Sequence, residues 1–270
     1  MSDEEEDLTR KQRREQARAQ RKELEQAQAA KDTARRRLQL MGSVVAIAVV
    51  AVVVILLATG GGGSHPLKSK EKEKEATVVD TLIAGIPQSG NTLGSPTAPV
   101  TLRYFGDLEC PICKEFTLGV LPSLIEKFVR TGKMRIEYHS LETATREPEI
   151  FKTQQVAALA AGQQDKAWYF IEDFYHEQGE EDSGYVNESY IQGLAEQVPG
   201  LNLAKWTSDR SNSSLAGEVE ADAQAANDAG FTGTPSFLLG KTGGTLQKFS
   251  PGEYTEPSPY ESAIESLLKS

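Results

Sequence analysis

Both cysteines of the chain fall in one motif, Cys110-Pro111-Ile112-Cys113, set where an extended run gives way to a helical pattern. Val100, Leu102, Tyr104 and Phe105 supply the extended run, and Gly106, Asp107 and Glu109 interrupt it. Phe116, Val120, Leu124 and Phe128 then recur at helical spacing. That order puts Cys110 at a helix start, where free backbone N–H groups and the positive end of the helix dipole favour a thiolate over a thiol. Cys113 lies one turn later, close enough to bridge with Cys110. The pattern points to thiol–disulfide exchange. A zinc knuckle would need four ligands, and His65, His139 and His176, the three histidines of the chain, are scattered singly. A purely structural disulfide stays open as a reading, although so small a loop constrains the unfolded chain little.

The 270 residues divide into unlike parts. Residues 1–37 are a charged tail, helical or disordered. The first forty positions hold eleven basic and nine acidic residues, with too few leucines for a coiled-coil seam. Residues 38–59 carry an uncharged run rich in Val, Ile and Leu, and about twenty such residues match a hydrocarbon core of roughly 30 Å. We therefore expect a transmembrane signal anchor rather than a cleaved signal peptide, because the hydrophilic lead and the apolar run are both too long for the latter. Arg35, Arg36 and Arg37 abut its N-terminal end, whereas the first lysine beyond it is Lys68. This asymmetry keeps the N-terminus cytoplasmic and places the residues beyond the anchor outside the membrane, where disulfides persist. Residues 60–76 form a Gly-rich and then sign-alternating linker.

Residues 77–270 read as an α/β domain. A first strand is expected near Thr77–Ile83, then a turn-rich stretch, then strand, helix and strand (Met134–His139) as a βαβ unit. A helical insertion is expected at about 149–229, with strands after it at Pro235–Leu239 and Leu246–Phe249 and a closing helix at Tyr260–Leu268. From Ser95 onward there are 14 basic and 26 acidic residues, a balance that argues against a nucleic-acid partner. Pro235, at the first residue of a strand, is placed for its backbone geometry, since it has no N–H to give a sheet.

Gly85-Ile-Pro-Gln88, Leu93-Gly94, Ala98-Pro-Val-Thr-Leu102, Phe105, Asp107, Cys110-Pro-Ile-Cys113 and Thr232-Gly-Thr-Pro-Ser-Phe237 together resemble the DsbA-type thioredoxin-fold disulfide oxidoreductases, particularly the membrane-anchored branch of Gram-positive bacteria. The resemblance covers about Ala76 to Ser270. It implies a thioredoxin-like fold with a helical insertion, preceded by one transmembrane helix and a charged tail. Its catalytic residues would be Cys110, Cys113 and a cis Pro235, with Thr234 presenting backbone groups to a bound peptide and Pro111 and Ile112 tuning the site. It further implies no cofactor beyond a redox-active Cys110–Cys113 disulfide, exported protein substrates bearing cysteine thiols, and a membrane quinone-linked oxidase that restores the disulfide. Two departures stand out. Ile112 replaces a frequent histidine, and Tyr104 stands where relatives often place a buried proton-ferrying acid. Asp107 and Glu109 are then the candidate proton-relay acids, and His139 is expected to be a strand or surface residue. A reductase or isomerase, or a binding module without catalysis, are the alternatives at this point.

Overall fold

The computed structural model describes residues 78–270, and all of them belong to one compact unit. The expected tail, signal anchor and linker, residues 1–76, lie outside the described residues. No described helix is long and apolar enough to cross a membrane.

A six-stranded mixed sheet runs through the domain in the order β1-β2-β4-β3-β5-β6. Its strands are β1 (Gln88–Ser89), β2 (Thr92–Leu93), β3 (Val100–Gly106), β4 (Met134–Ser140), β5 (Ser236–Lys241) and β6 (Gln247–Phe249). Only β3 and β4 pair in parallel, with Tyr104 opposite Tyr138 and Phe105 opposite His139. β5 lies antiparallel to β3 on its other side and sets Phe237 opposite Tyr104. The expected βαβ unit is present, because the helix between β3 and β4 is the crossover that a parallel pair requires.

That crossover is not a regular α-helix. It passes from α1 (Pro111–Glu115) through a π-helical turn at Phe116–Val120 to α2 (Leu121–Leu124) and a second π-helical turn at Ile125–Val129. Pro122 falls in the first turn of α2, where its missing N–H costs least. Along the whole crossover Cys113, Phe116, Val120, Leu121, Leu124, Ile125 and Phe128 are buried. Each such aliphatic or aromatic side chain contributes roughly 1.5–3 kcal/mol of burial.

Five helices form the insertion: α3 (Pro148–Gly162), α4 (Ala167–His176), α5 (Glu188–Ala195), α6 (Leu203–Asp209) and α7 (Ser213–Asp228). α8 (Pro257–Lys269) closes the chain. The period-two alternation of β3 divides the interior. Leu102 and Tyr104 face the main core beneath the crossover, whereas Phe105 faces a smaller cluster with Leu141, Ala226 and Phe231 under α7.

Two expectations need correction. Residues 78–83 are helical, not a strand. Val79 and Ile83 are buried four residues apart while Val78 is exposed, and this helical spacing outweighs the β-branched composition that suggested a strand. The turn-rich stretch after Pro87 contains the β1–β2 hairpin, which joins the sheet through β4. Its two-residue strands are too short to show a period.

Candidate active site

Cys110 is the N-cap of α1, with extended backbone (φ −71°, ψ 120°), and Pro111 comes next, where no helical N–H is needed. The sulfur of Cys110 accepts from the N–H of Cys113 at 3.4 Å. From across the sheet, the carbonyl oxygen of Thr234 lies 3.5 Å from the same sulfur, and the Thr234–Pro235 bond is cis. The Thr234 hydroxyl meets that of Thr143 at 2.5 Å, which joins the loop after β4 to the loop before β5. Both cysteines are buried, but Cys110 keeps 6 % exposure whereas Cys113 has none. Both are free thiols in this structure.

The two sulfurs differ electrostatically. A hydrogen bond from the Cys113 thiol, helped by the Thr234 side chain and the N–H groups of Cys113 and Ile112, outweighs partial burial and lowers the Cys110 thiol to about 6. Burial pushes Cys113 the other way, far above the ordinary thiol range, and its bond to Cys110 adds to that rise. One thiol is thus poised as a nucleophile near neutral pH, and the other is held protonated.

Ile112 is 45 % exposed next to the Cys110 motif and forms with the exposed Pro111 an apolar lip whose side chains cannot hydrogen-bond. Gln178, in the loop after α4, donates through its side-chain amide to the carbonyls of Leu108 (2.7 Å) and Cys110 (3.2 Å). Lys114 in turn donates to the carbonyl of Gln178 at 3.1 Å. Sequence reasoning missed Gln178 and Thr143. Both act through backbone or hydroxyl contacts between distant loops, for which no local pattern exists.

Asp107 is fully buried, and its carboxylate is crowded with donors. One oxygen accepts from the Glu109 N–H (3.1 Å) and the Thr145 hydroxyl (2.7 Å). The other accepts from the N–H groups of Thr143, Ala144 and Thr145 at 2.8–3.0 Å. The side chain therefore ties the loop at 143–145 to the start of the active-site turn. Its carbonyl accepts the Cys110 N–H at 3.0 Å. Glu109 is nearly buried, and burial raises its carboxyl above the usual range, with Asp107 and Asp182 adding to the rise against a hydrogen bond from Thr145. It lines a cleft of about 370 Å³ with Arg146, Asp182 and Val186. His139 lies on β4, with its ring against Phe105 on the sheet face away from the cysteines, and pairs with Asp222.

Comparison with known proteins agrees with the fold. The thioredoxin family model matches residues 88–247. The probable disulfide bond formation protein D of Bacillus anthracis is 26 % identical over 179 residues, covering 60 % of this chain and 79 % of that protein. Disulfide bond formation protein D of Bacillus subtilis is 24 % identical over 154 residues, 54 % of this chain and 66 % of its own. Among solved structures, oxidised BdbD from Bacillus subtilis aligns with a TM-score of 0.58 at 20 % identity, covering 70 % of this chain and 98 % of that one. The alpha-DsbA1 of Wolbachia pipientis aligns at 0.55 and 19 % identity, over 69 % and 92 %. At these identities the structures speak to the fold, while the family model spans well over half of the chain. The chain belongs to the thioredoxin family, as a DsbA-type thiol–disulfide oxidoreductase.

Proposed function

We propose that the chain forms disulfides in exported proteins by dithiol–disulfide exchange at Cys110 and Cys113, outside the cytoplasmic membrane and tethered to it by residues 38–59. One observation carries the reading. A thiol lowered to about 6 caps a helix and keeps a slight exposure, while its partner is fully buried one turn on with its own thiol pushed up. A substrate thiolate attacks the Cys110 sulfur of the enzyme disulfide, a substrate–Cys110 disulfide forms, and the electron pair of the broken bond goes to Cys113. A second substrate thiolate then attacks the substrate sulfur, releasing the product disulfide and the Cys110 thiolate. Ile112 and Pro111 supply an apolar rest for the peptide beside Cys110, and the Thr234 backbone next to Pro235 is the natural edge for its main chain.

Exported proteins with pairs of cysteine thiols are the substrates in this reading. A membrane quinone-linked oxidase restores the disulfide, and no cofactor beyond that disulfide is required. Of the two candidate relay acids, Glu109 is the better placed to exchange a proton, since its carboxyl is raised and lines a cleft, whereas the Asp107 carboxylate is occupied by five donors.

The test is the equilibrium reduction potential of Cys110–Cys113 in glutathione buffers. A helix N-cap thiolate stabilises the dithiol form, but Ile112 cannot add the charge or N–H of a histidine. The potential should therefore fall between about −270 mV and about −120 mV, the values for thioredoxin and for a strong periplasmic oxidant. Reduced ribonuclease A should gain disulfides from the oxidised domain. A potential at or below the lower value, with efficient reduction of insulin, would assign a reductase instead.

A further inference from the structure

Two side chains from the end of α4 donate to three carbonyls of the turn that leads into α1. Tyr175 donates to the Asp107 carbonyl at 3.1 Å, and the Gln178 amide donates to the carbonyls of Leu108 at 2.7 Å and Cys110 at 3.2 Å. Carbonyls only accept, so the amide must present its nitrogen to them, and both of its hydrogens are used. The Tyr175 hydrogen is likewise committed. The Tyr104 hydroxyl, 3.0 Å away, therefore donates to the Tyr175 oxygen.

The Cys110 carbonyl matters most. Its peptide unit runs into Pro111, which has no N–H, so the oxygen is the one hydrogen-bonding group of that unit. It accepts from the Lys114 N–H at 3.1 Å and from Gln178, and both lone pairs are filled. The orientation of this peptide plane is the ψ of Cys110, 120°, the angle that sets the side chain over the start of α1. There the sulfur accepts from the Cys113 N–H at 3.4 Å. A carbonyl free to swing toward the sulfur would instead bring the negative end of its dipole to a thiolate.

We propose that Gln178, assisted by Tyr175, is a positioning residue for the exchange reaction: it fixes the peptide plane after Cys110, keeps the sulfur over the start of α1 and holds the negative end of the carbonyl away from it. The inference rests on the exchange reading proposed for the two cysteines. Gln178 acts through the backbone that carries the sulfur. The oxidised enzyme has no thiolate to favour, so a group that eases the thiolate stabilises the reduced form alone and makes the disulfide more oxidising. The helical insertion thereby takes part in setting the reactivity of Cys110.

Gln178 is itself held from several sides. The Lys114 ammonium donates to its carbonyl at 3.1 Å, and before it the Glu177 N–H donates to the Asp173 carbonyl at 3.0 Å, closing α4. Gly179, next along the chain, packs so closely on Tyr185 that an added Cβ would lie 2.8 Å from the ring. The amide meets the turn from a fixed base.

The experiment compares the full chain with Gln178→Met, Tyr175→Phe and Gln164→Met. Gln178→Met keeps the length of the side chain and removes both hydrogens. Gln164, just after α3, clasps the Asn202 backbone with its own amide, at 3.1 Å and 2.9 Å, and so reports on loss of such a clasp elsewhere in the insertion. Two quantities are read: the pH at which Cys110 ionises in a Cys113→Ser background, by ultraviolet thiolate absorbance, and the equilibrium of the Cys110–Cys113 pair with glutathione. Gln178→Met should raise the Cys110 ionisation by roughly 0.5–1 pH unit, and move the equilibrium by the matching factor, roughly threefold to tenfold, toward the enzyme disulfide. Tyr175→Phe should move both the same way by less, and Gln164→Met should match the parent in both even if it loses stability. A Gln178→Met chain that loses stability in urea yet keeps parent-like ionisation and equilibrium would overturn the proposal. Should Gln178→Met fail to fold, Tyr175→Phe decides by the same two readouts, and parent-like values there overturn it. If the parent exchanges nothing with glutathione, the exchange reading fails, whereas the Cys110 ionisation of Gln178→Met still decides the positioning.

Discussion

The Cys110 sulfur lies 3.5 Å from the carbonyl oxygen of Thr234, a residue 124 positions further along the chain. The helix that carries the cysteine and the loop that enters β5 thus share one contact. The Thr234 side chain lowers the Cys110 thiol, and its hydroxyl is bound to Thr143. Thr234→Val keeps the shape and removes the hydroxyl. The Cys110 thiol should then rise from about 6, which a pH titration of its ultraviolet thiolate absorbance would read directly. An unchanged titration would mean that the Thr234 side chain has no part in holding the thiolate.

The unequal thiols make a second prediction, about pH and stability. Cys110 has a folded value of about 6 against an ordinary 9.0, so it is a group with a depressed folded pKa. Its contribution to the reduced protein is fully present above the unfolded value and is lost as pH falls through the folded one. Cys113 is raised instead, and its contribution fades only above the ordinary thiol range. Between pH 6 and pH 9 the reduced protein should therefore gain stability relative to the oxidised protein, in which neither sulfur titrates. Urea midpoints of both forms across that range test this; a gap that stays flat would count against the low value for Cys110. Alkylation by iodoacetamide near pH 6 should likewise mark Cys110 well before Cys113.

Asp107 and Glu109 should separate on mutation. Asp107→Asn sets an amide NH2 against N–H and O–H donors that now point at a carboxylate oxygen. This should cost about 1–3 kcal/mol of stability through unsatisfied buried groups, read as a lower urea midpoint. Glu109→Gln has no such crowd to oppose it. If Glu109 exchanges protons with the site, that variant should slow disulfide exchange and alter its pH profile at near-parent stability. The reverse pattern, a stable Asp107→Asn that no longer exchanges, would make Asp107 the relay.

Gly106→Ala should destabilise the domain by about 1–3 kcal/mol through overpacking. The added Cβ meets the Tyr104 and Tyr138 rings at 2.9 Å, and both rings are closed in by neighbours. A thermal melt that matches the parent would show that the two rings can give way.

How far each feature can be read from the chain alone depends on the range of the interaction behind it. Strand β3 and the helix after it announce themselves because Leu102, Tyr104, Phe116, Val120 and Leu124 repeat locally at periods of two and three to four. The five-helix insertion is legible for the same reason. The roles of Tyr175, Gln178 and Thr143 are not, because each depends on a contact with a residue 68 or more positions away, or between two loops with no period at all. Tyr104 shows both limits. Its buried position is visible in the alternation of β3, while its hydroxyl partner, Tyr175, comes from α4, 71 positions away. The π-helical turns at Phe116–Val120 and Ile125–Val129 leave the apolar spacing of the crossover nearly unchanged, so only Pro122 hints at them.

Asp222 supports a last prediction, away from the cysteines. It lies on α7 and accepts from the Ser140 N–H at 2.8 Å and the Ser140 hydroxyl at 3.0 Å, while its other oxygen meets His139 Nδ1 at 2.5 Å. One carboxylate thus fastens the helical insertion to the end of β4. His139 is buried, which lowers its pKa, yet Asp222 and Glu137 together raise it above the ordinary 6.5 against the opposing charge of Arg103. A histidine raised in the folded state contributes stability that is fully present below its unfolded pKa and is lost as pH rises through the folded value. Asp222→Asn removes most of that contribution, and the two Ser140 bonds weaken with it. In the oxidised protein, where the cysteines are silent, the variant should be less stable than the parent by about 1–3 kcal/mol at pH 5.5. The gap should narrow toward pH 8.5 as His139 becomes neutral in the parent, without closing, since a neutral imidazole still donates its Nδ1 hydrogen. Urea unfolding at both pH values reads the difference; a gap that widened with pH would show that the Asp222 partnership does not depend on a charged His139.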